Sequence, residues 1–507
     1  MSAPPTHLTV NVGRGFLIAP CVDLLPPGVK QREAIFLIAP SPCSIQVMSA
    51  VSSRRAAPSA EHLKQLLKVE ADAFTASNPI SRQRFEACKS SLHNGVPMNW
   101  MVRWASPYPL CVDRAAGAKF VDVDGHDYVD FCLGDTGAMT GHSPAATVTA
   151  ITEQLTRGMT TMLPSPQAAL VGAELQRRFG VKYWQIATTA TDANRFVIRL
   201  CRHLTGRPKV LTFNWCYHGT VDDTFAILGP SGNVVPRPGN TGAPVDPSLT
   251  TRVVEFNDVA ALEAALAHGD VACVLAEPAM TNVGIILPEP EYHAELRRLT
   301  RKYGALLIID ETHCISEGPG GFTKAHRLEP DFLTVGKPIA GGFPAAAYGF
   351  TQEVADSMNR ALDNETADTG GIGGTLAANP VAIAAIHATL SHVLTDEAYV
   401  KTIALAVRFE EGVRAVIAKY SLPWNVVRTG CRVEYVFRPT VPKNGGEAAA
   451  FCGGDLDKFV HLFLLNRGIL MTPFHAMALM CPDTTERDVD LHTKVFEDAV
   501  KTLFPSA

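Results

Sequence analysis

Between Gln167 and Phe350 the chain alternates short, continuous apolar runs with amphipathic stretches. Lys209 to Phe213, Val271 to Ala276, Ala305 to Ile309, Asp331 to Val335 and Ala345 to Phe350 have the length and composition of buried strands. Between them, Val197, Leu200, Cys201 and Leu204 share one helical face within Asn194 to Leu204. Tyr292, Leu296, Leu299 and Tyr303 do the same within Glu291 to Tyr303, and Gly304 is the natural stop. Apolar strands alternating with such helices predict an α/β fold with a mostly parallel sheet covered on both faces.

The flanking segments read differently. Ala60 to Cys88 is charged and helix-prone. Phe120 to Leu133 alternates around an Asp-Gly turn at 124–125, which predicts a hairpin or small meander, and Pro144 to Arg157 is helical. Helical pattern returns after Asn379, strands from Val426 to Phe437, and a mixture follows. The organisation predicted is 60–150 as an N-terminal segment contributing to a small domain, 151–390 as the large domain, and 391–507 as a C-terminal α+β domain. Residues 1–59 carry short apolar pieces broken by Pro and Arg, without the basic start and continuous run of a signal peptide. They are expected to be a disordered or non-native extension. The composition changes near Met48, so an upstream start codon accounts for the first 47 residues equally well.

Composition narrows the function classes. The chain has 507 residues, 47% hydrophobic, with a formal net charge of −5. It has no basic stripe interleaved with aromatics, which argues against nucleic-acid binding. No run approaches the roughly 18 apolar residues that span a bilayer. The 12 cysteines are scattered singly without a CxxC pair. That argues against a zinc ribbon or a disulfide framework and for a reducing, cytoplasmic setting with no metal.

Ligands of open α/β sheets bind beyond the carboxyl ends of the strands, and four such ends carry polar residues. Asp310 follows an aliphatic run, placed either to hold a proton on a ring nitrogen of a bound heteroaromatic or to cap the next turn. Lys337 lies in Gly336-Lys337-Pro338-Ile339-Ala340-Gly341-Gly342, either as an amine nucleophile near an aldehyde or as a surface lysine. Thr188 to Asn194 opens a helix, as an anion site, a plain N-cap, or both. Tyr217-His218-Gly219 follows a strand, where an aromatic stacks on a flat ring or simply packs.

Together these residues resemble the class III aminotransferase family of pyridoxal-phosphate (PLP) fold type I. They are most similar to the subgroup of glutamate-1-semialdehyde 2,1-aminomutases and β-amino-acid and amine transaminases. The resemblance runs from about Pro97 to Phe504, through YHG at 217–219, EP at 277–278 with Asn282, DE at 310–311, GKPIAGG at 336–342 and GGTLAANP at 373–380. It implies a seven-stranded, mostly parallel sheet in the large domain and PLP carried as a Schiff base on Lys337. It further implies that Asp310 pairs with the pyridine nitrogen and that Tyr217 stacks on the ring, with His218 and Gly219 adjoining. Thr189, Ala190 and Thr191 would hold the phosphate, where the family has Ser-Gly-Thr. Glu277 and Asn282 would lie on the hydroxyl side, and Thr312 against the ring in place of the usual Val. Thr375 would reach the phosphate of a neighbouring subunit, which implies a homodimer or a tetramer of dimers.

The substrate side is less marked. Relatives acting on β-amino acids carry an Arg before the segment matching Pro107-Tyr108-Pro109-Leu110, and Arg103 lies near that position. Arg432, inside an apolar strand, is the better carboxylate partner, or else a structural ion-pair member. Trp100, Trp104 and Trp215 line a roomy pocket or serve ordinary packing. The expected activity is amino transfer from an amine or (β-)amino acid to a keto acid or aldehyde. A 2,1-aminomutase is the near alternative, a PLP decarboxylase or racemase a distant one. A non-catalytic PLP-binding protein would be expected to lack the lysine or carry a DNA-binding domain.

Overall fold

A computed structural model of the chain describes residues 57–361, 371–451, 453–472 and 475–505. The expectations for the first 47 residues, and for 1–59 up to residue 56, lie outside the described residues.

Seven strands form the central sheet: β1 (Tyr183–Ala187), β2 (Lys209–Phe213), β3 (Thr251–Val254), β4 (Val271–Ala276), β5 (Leu306–Asp310), β6 (Phe332–Val335) and β7 (Ala346–Phe350). Their spatial order is β1-β7-β6-β5-β4-β2-β3. The neighbours β6/β5, β5/β4, β4/β2 and β2/β3 are parallel, and β7 runs antiparallel to both β6 and β1. The reversal follows from connection length. Parallel neighbours need a crossover of a dozen or more residues, whereas β6 and β7 are joined directly through the loop 336–345. That loop carries Lys337.

Five of these strands match the apolar runs. The two others, β1 and β3, are the sheet edges. β1 alternates exposed and half-buried residues, and β3 is four residues long with Arg252 inside it. Their apolar signal is accordingly thin. Helix α1 (Ala190–Thr205) buries Phe196, Val197, Leu200 and Cys201, and α2 (Tyr292–Tyr303) buries Tyr292, Leu296 and Leu299. Gly304 ends α2 in the left-handed conformation at φ +65°.

Outside the large sheet, Lys119–Asp122 and Asp127–Asp130 form the antiparallel hairpin around the Asp-Gly turn. Ile469–Leu470 adds to it in parallel. Asn425–Thr429, Arg432–Val436 and Met477–Leu479 form a three-stranded antiparallel sheet. One core joins Phe131 and Leu133 after the hairpin to Phe409, Phe459 and Phe496 near the C-terminus. Among the described residues no helix is long and apolar enough to cross a membrane. Cys132, Cys201, Cys273 and Cys314 are buried free thiols.

Candidate active site

Three parallel strands deliver their last residues to one place. Ile309 of β5 pairs with Ala276 of β4, so Asp310 and Glu277 leave the sheet side by side. Asp310 pairs in turn with Thr334 of β6, two residues before the Gly336-Lys337 step. Lys337 sits at φ +52°, a left-handed backbone uncommon for a side-chain-bearing residue and worth about 1–3 kcal/mol of local strain. A side chain on Gly336 would crowd the Cβ of Ala190 at 3.0 Å, so the lysine loop and the start of α1 meet closely.

These residues open on a cavity of about 580 Å³. Its wall includes Lys337, Asp310, Glu277, Thr312, Tyr217, Gly219, Thr189, Ala190, Thr191 and Trp100. Trp100 tilts against Tyr217 with ring centroids 5.6 Å apart.

Asp310 is buried in a fixed polar network. Its Oδ2 accepts from Nδ2 of Asn194 at 2.8 Å and faces Nδ1 of His218 at 2.9 Å. Its Oδ1 accepts from the Thr312 amide at 3.0 Å. Asn194 is itself held by the Thr334 hydroxyl at 2.7 Å. Burial alone would raise the Asp310 pKa, but the His218 imidazole and these donors hold it at about 2. Burial opposes charge on His218, and the Cys216 sulfur and the Asp310 carboxylate override it, raising its pKa well above the usual value. Burial pushes Glu277 the other way, up to about 7, against the nearby His218.

The start of α1 is built as an anion cradle. Thr189 is the N-cap, its hydroxyl accepting from the Asp192 amide at 3.2 Å and donating to the Asp192 carboxylate at 2.9 Å. The Ala193 amide bonds the Thr189 carbonyl. That leaves the Ala190 and Thr191 amides, in the first turn, for an anion. Ala190 is an ordinary helical residue with no positive φ. The Thr191 hydroxyl accepts from the Thr220 amide at 3.0 Å, tying the cradle to the Tyr217 loop. Gly219, at φ +74°, is pressed against Thr191, leaving no room for a Cβ.

The residues fit PLP. An anionic carboxylate stands at the strand ends, an anion cradle faces the same cavity, and a lysine lies between. Among the described residues, Thr312 Oγ1 and Glu277 Oε1 are buried on this wall without a hydrogen-bond partner. Buried polar atoms need a partner, and a polar group bound in this cavity would supply one.

Around Lys337 lie residues that the sequence pattern did not single out. Its Nζ is 3.0 Å from Asp135 Oδ2 and 2.6 Å from His313 Nε2. Asp135 follows the hairpin in a turn where Leu133, Asp135 and Thr136 all have positive φ. Burial would raise its pKa, but Lys337, His313 and Arg432 hold it well below the carboxylate range. Burial, reinforced by Lys337, pushes His313 well below the usual histidine value. The Gly-rich stretch Gly134 to Gly141 directly after a strand, and His313 within Asp310-Glu311-Thr312-His313, were the available signals.

Other predicted residues lie apart from the cavity wall. Arg432 is fully buried behind it and reaches His313 Nδ1 at 2.9 Å and the Thr136 hydroxyl. Asn282 donates to the Trp215 carbonyl at 3.0 Å, and the Trp215 ring stacks with the Arg237 guanidinium. Trp104 packs on His461. Arg103 is solvent-exposed beside the short turn Asn99–Val102, and Thr375 is exposed and is not among the residues of the cavity wall.

The family profile described as Aminotransferase class-III matches residues 100–500. A glutamate-1-semialdehyde 2,1-aminomutase of Persephonella marina is 31% identical over 405 residues, covering 78% of this chain and 92% of that protein. The crystal structure of a glutamate-1-semialdehyde-aminomutase from Pseudomonas aeruginosa PAO1 superposes with a TM-score of 0.87 at 48% identity, covering 89% of this chain and all of that one. A β-phenylalanine aminotransferase from Variovorax paradoxus superposes at 0.76 with 26% identity, covering 86% and 97%. The chain is an enzyme of the class-III aminotransferase family, whose members use pyridoxal phosphate.

Proposed function

We propose that this enzyme moves an amino group from an amine or amino acid, β-amino acids included, to a keto acid or aldehyde, with Lys337 as its reacting amine. The observation that carries this is the meeting of Lys337, anionic Asp310 and the 189–191 cradle on one cavity wall. PLP, when bound, supplies an aldehyde that exchanges amines and a ring that takes up electron density.

The chain's residues do the rest. The Ala190 and Thr191 amides, with Thr189, hold the phosphate, and Asp310 keeps a proton on the ring nitrogen through its fixed negative charge. Tyr217 and Thr312 line the same cavity and would help hold the cofactor's ring there, with His218 and Gly219 fixing the Tyr217 loop. Glu277, on the same wall, would meet a polar group of the cofactor, and Asn282 steadies the Trp215 turn. Lys337 Nζ takes the proton from the donor carbon and returns one during release. Trp100 lines the cavity beside Tyr217. Arg432 places a positive charge behind the wall, favourable for a substrate carboxylate, whereas exposed Arg103 would reach one only at the rim.

A homodimer, alone or paired into a tetramer, completes the site, with Thr375 of each protomer serving its partner's phosphate. Met162 and Leu163 are each 73% exposed and Leu376 58%, large apolar side chains available to such a contact. Buried free cysteines fit a reducing, cytoplasmic compartment.

A second reading, intramolecular transfer as in a 2,1-aminomutase, is favoured by the 48% identity to the Pseudomonas aeruginosa enzyme. Offering amines and amino acids singly to the holoenzyme tests the proposal. A donor should discharge the cofactor's visible band and release a carbonyl compound. If none does, the transfer reading fails. Turnover of glutamate-1-semialdehyde without a second carbonyl substrate would establish the mutase reading instead.

A further inference from the structure

Arg237 stands half-buried beside the Tyr217 loop. Its guanidinium stacks on the Trp215 ring at 5.0 Å, and its Nη1 donates to the Cys216 carbonyl at 3.0 Å. Its amide bonds the Phe225 carbonyl at 2.9 Å, and Phe225 packs edge-on against Tyr217 with ring centroids 6.2 Å apart. Backbone and side chain are thus both fixed around Tyr217. A guanidinium has five N–H donors, so most of them remain for another partner.

Arg103 approaches from another element. Its amide bonds the Trp100 carbonyl at 3.0 Å, and Trp100 lines the cavity against Tyr217. The two arginines therefore flank the Trp100–Tyr217 edge of the cavity. Burial lowers the pKa of Arg237, the neighbouring Cys216 and Tyr217 oppose that, and the like charge of Arg103 adds to it. Among the described residues neither arginine forms an ion pair with a carboxylate. A half-buried cation beside a second one is unfavourable without an anion to meet it. Stacking on Trp215 offsets part of that, and an anion held at this edge would offset more.

The charge across the cavity has a direction. Burial raises the pKa of the Tyr217 phenol, the Asp135 carboxylate adds to this, and the Arg237 guanidinium opposes it. Asp135 belongs to the Lys337 end, 3.0 Å from its Nζ. A negative group thus lies by the reacting amine, and a positive pair at the Trp100–Tyr217 edge. Arg432, fully buried and engaged with Thr136 and His313, presents nothing to that edge.

We propose that Arg237, assisted by Arg103, binds the carboxylate of the substrate, so that the enzyme favours amino acids and keto acids over amines and aldehydes without an acid group. The amine or carbonyl end of the substrate then meets Lys337, and its acid end meets the guanidinium edge. This rests on the reading that the reaction occurs at Lys337, and it narrows that reading to acid-bearing substrates.

The test measures binding to the full-length holoenzyme by isothermal titration calorimetry, with two probes of one shape. Hydrocinnamate carries a carboxylate, and hydrocinnamamide replaces it with a neutral amide. The acid should bind about tenfold more tightly than the amide, the scale of one charge-assisted guanidinium contact. Arg237→Gln should remove most of that preference by weakening the acid alone. Arg237→Lys, which keeps the charge but not the planar fork, should retain part of it. Arg103→Gln should weaken the acid by a smaller factor. It also serves if Arg237→Gln disturbs the Tyr217 loop, which a changed cofactor absorbance would reveal. Equal affinity of the wild type for acid and amide, no binding of the acid, or an acid preference that survives both Gln substitutions overturns the proposal. Neither probe carries a transferable amine, so failure of the transfer reading would appear in turnover and leave this result standing.

Discussion

Asp310 Oδ2 lies 2.9 Å from His218 Nδ1, with the His218 side chain fully enclosed and that of Asp310 only 5% exposed. A buried carboxylate is tolerable only where it is paired and hydrogen-bonded. Here His218, Asn194 and the Thr312 amide together keep it charged at the end of β5.

Asp310→Asn removes that charge with little change in shape. Turnover should fall by roughly 10²–10³-fold, the scale of losing one preorganised electrostatic partner. Cofactor should still load, because the 189–191 cradle and Lys337 are untouched. Steady-state kinetics beside the cofactor absorbance checks both. Wild-type turnover in this variant would contradict the role given to Asp310.

Gly219→Ala should weaken PLP binding about tenfold or more. The new methyl group meets Thr191, and φ +74° is strained for alanine. Fluorescence titration of cofactor-free protein measures it, and a circular dichroism spectrum separates this from misfolding.

Glu311 gives a pH prediction. Its carboxylate accepts from the Phe322 and Thr323 amides, and burial pushes its pKa up to about 7 despite those donors. The folded pKa thus exceeds the unfolded value of about 4.3. Between the two the folded state binds more protons, so this contribution is full below about pH 4.3 and lost as pH rises through about 7. Tm measured across that window should decline less steeply in Glu311→Gln than in wild type. An identical slope would show that Glu311 does not titrate there.

The parts legible in the sequence were those with local signatures. The apolar runs of β4, β5 and β6 declare themselves, and Asp310 and Lys337 stand at their ends. What eluded the pattern depends on tertiary placement. The edge strand β1 is half-exposed, and β3 is four residues long with Arg252 inside it, so neither carries a continuous apolar run. Asp135 meets Lys337 across 202 residues, through a turn whose left-handed backbone at Leu133 and Thr136 has no residue-type signature. Arg432 was singled out as an arginine in an apolar strand, but the sequence could not say that its partners would be His313 and Thr136.

The proposed homodimer predicts a light-scattering mass of twice 54.5 kDa for the full chain. Leu163→Asp, at one of the exposed apolar side chains, should shift the protein toward monomer and weaken PLP binding with it. The two effects belong together because Thr375 is exposed and does not line its own protomer's cavity. Dissociation without loss of cofactor would contradict a shared phosphate site.

The proposed reaction turns on Lys337, and the most direct measurement is borohydride reduction of the holoenzyme followed by peptide mass spectrometry. The cofactor's mass should be found covalently attached at Lys337, and Lys337→Ala should show no such adduct and no turnover. An adduct at another lysine, or full activity in Lys337→Ala, would contradict it.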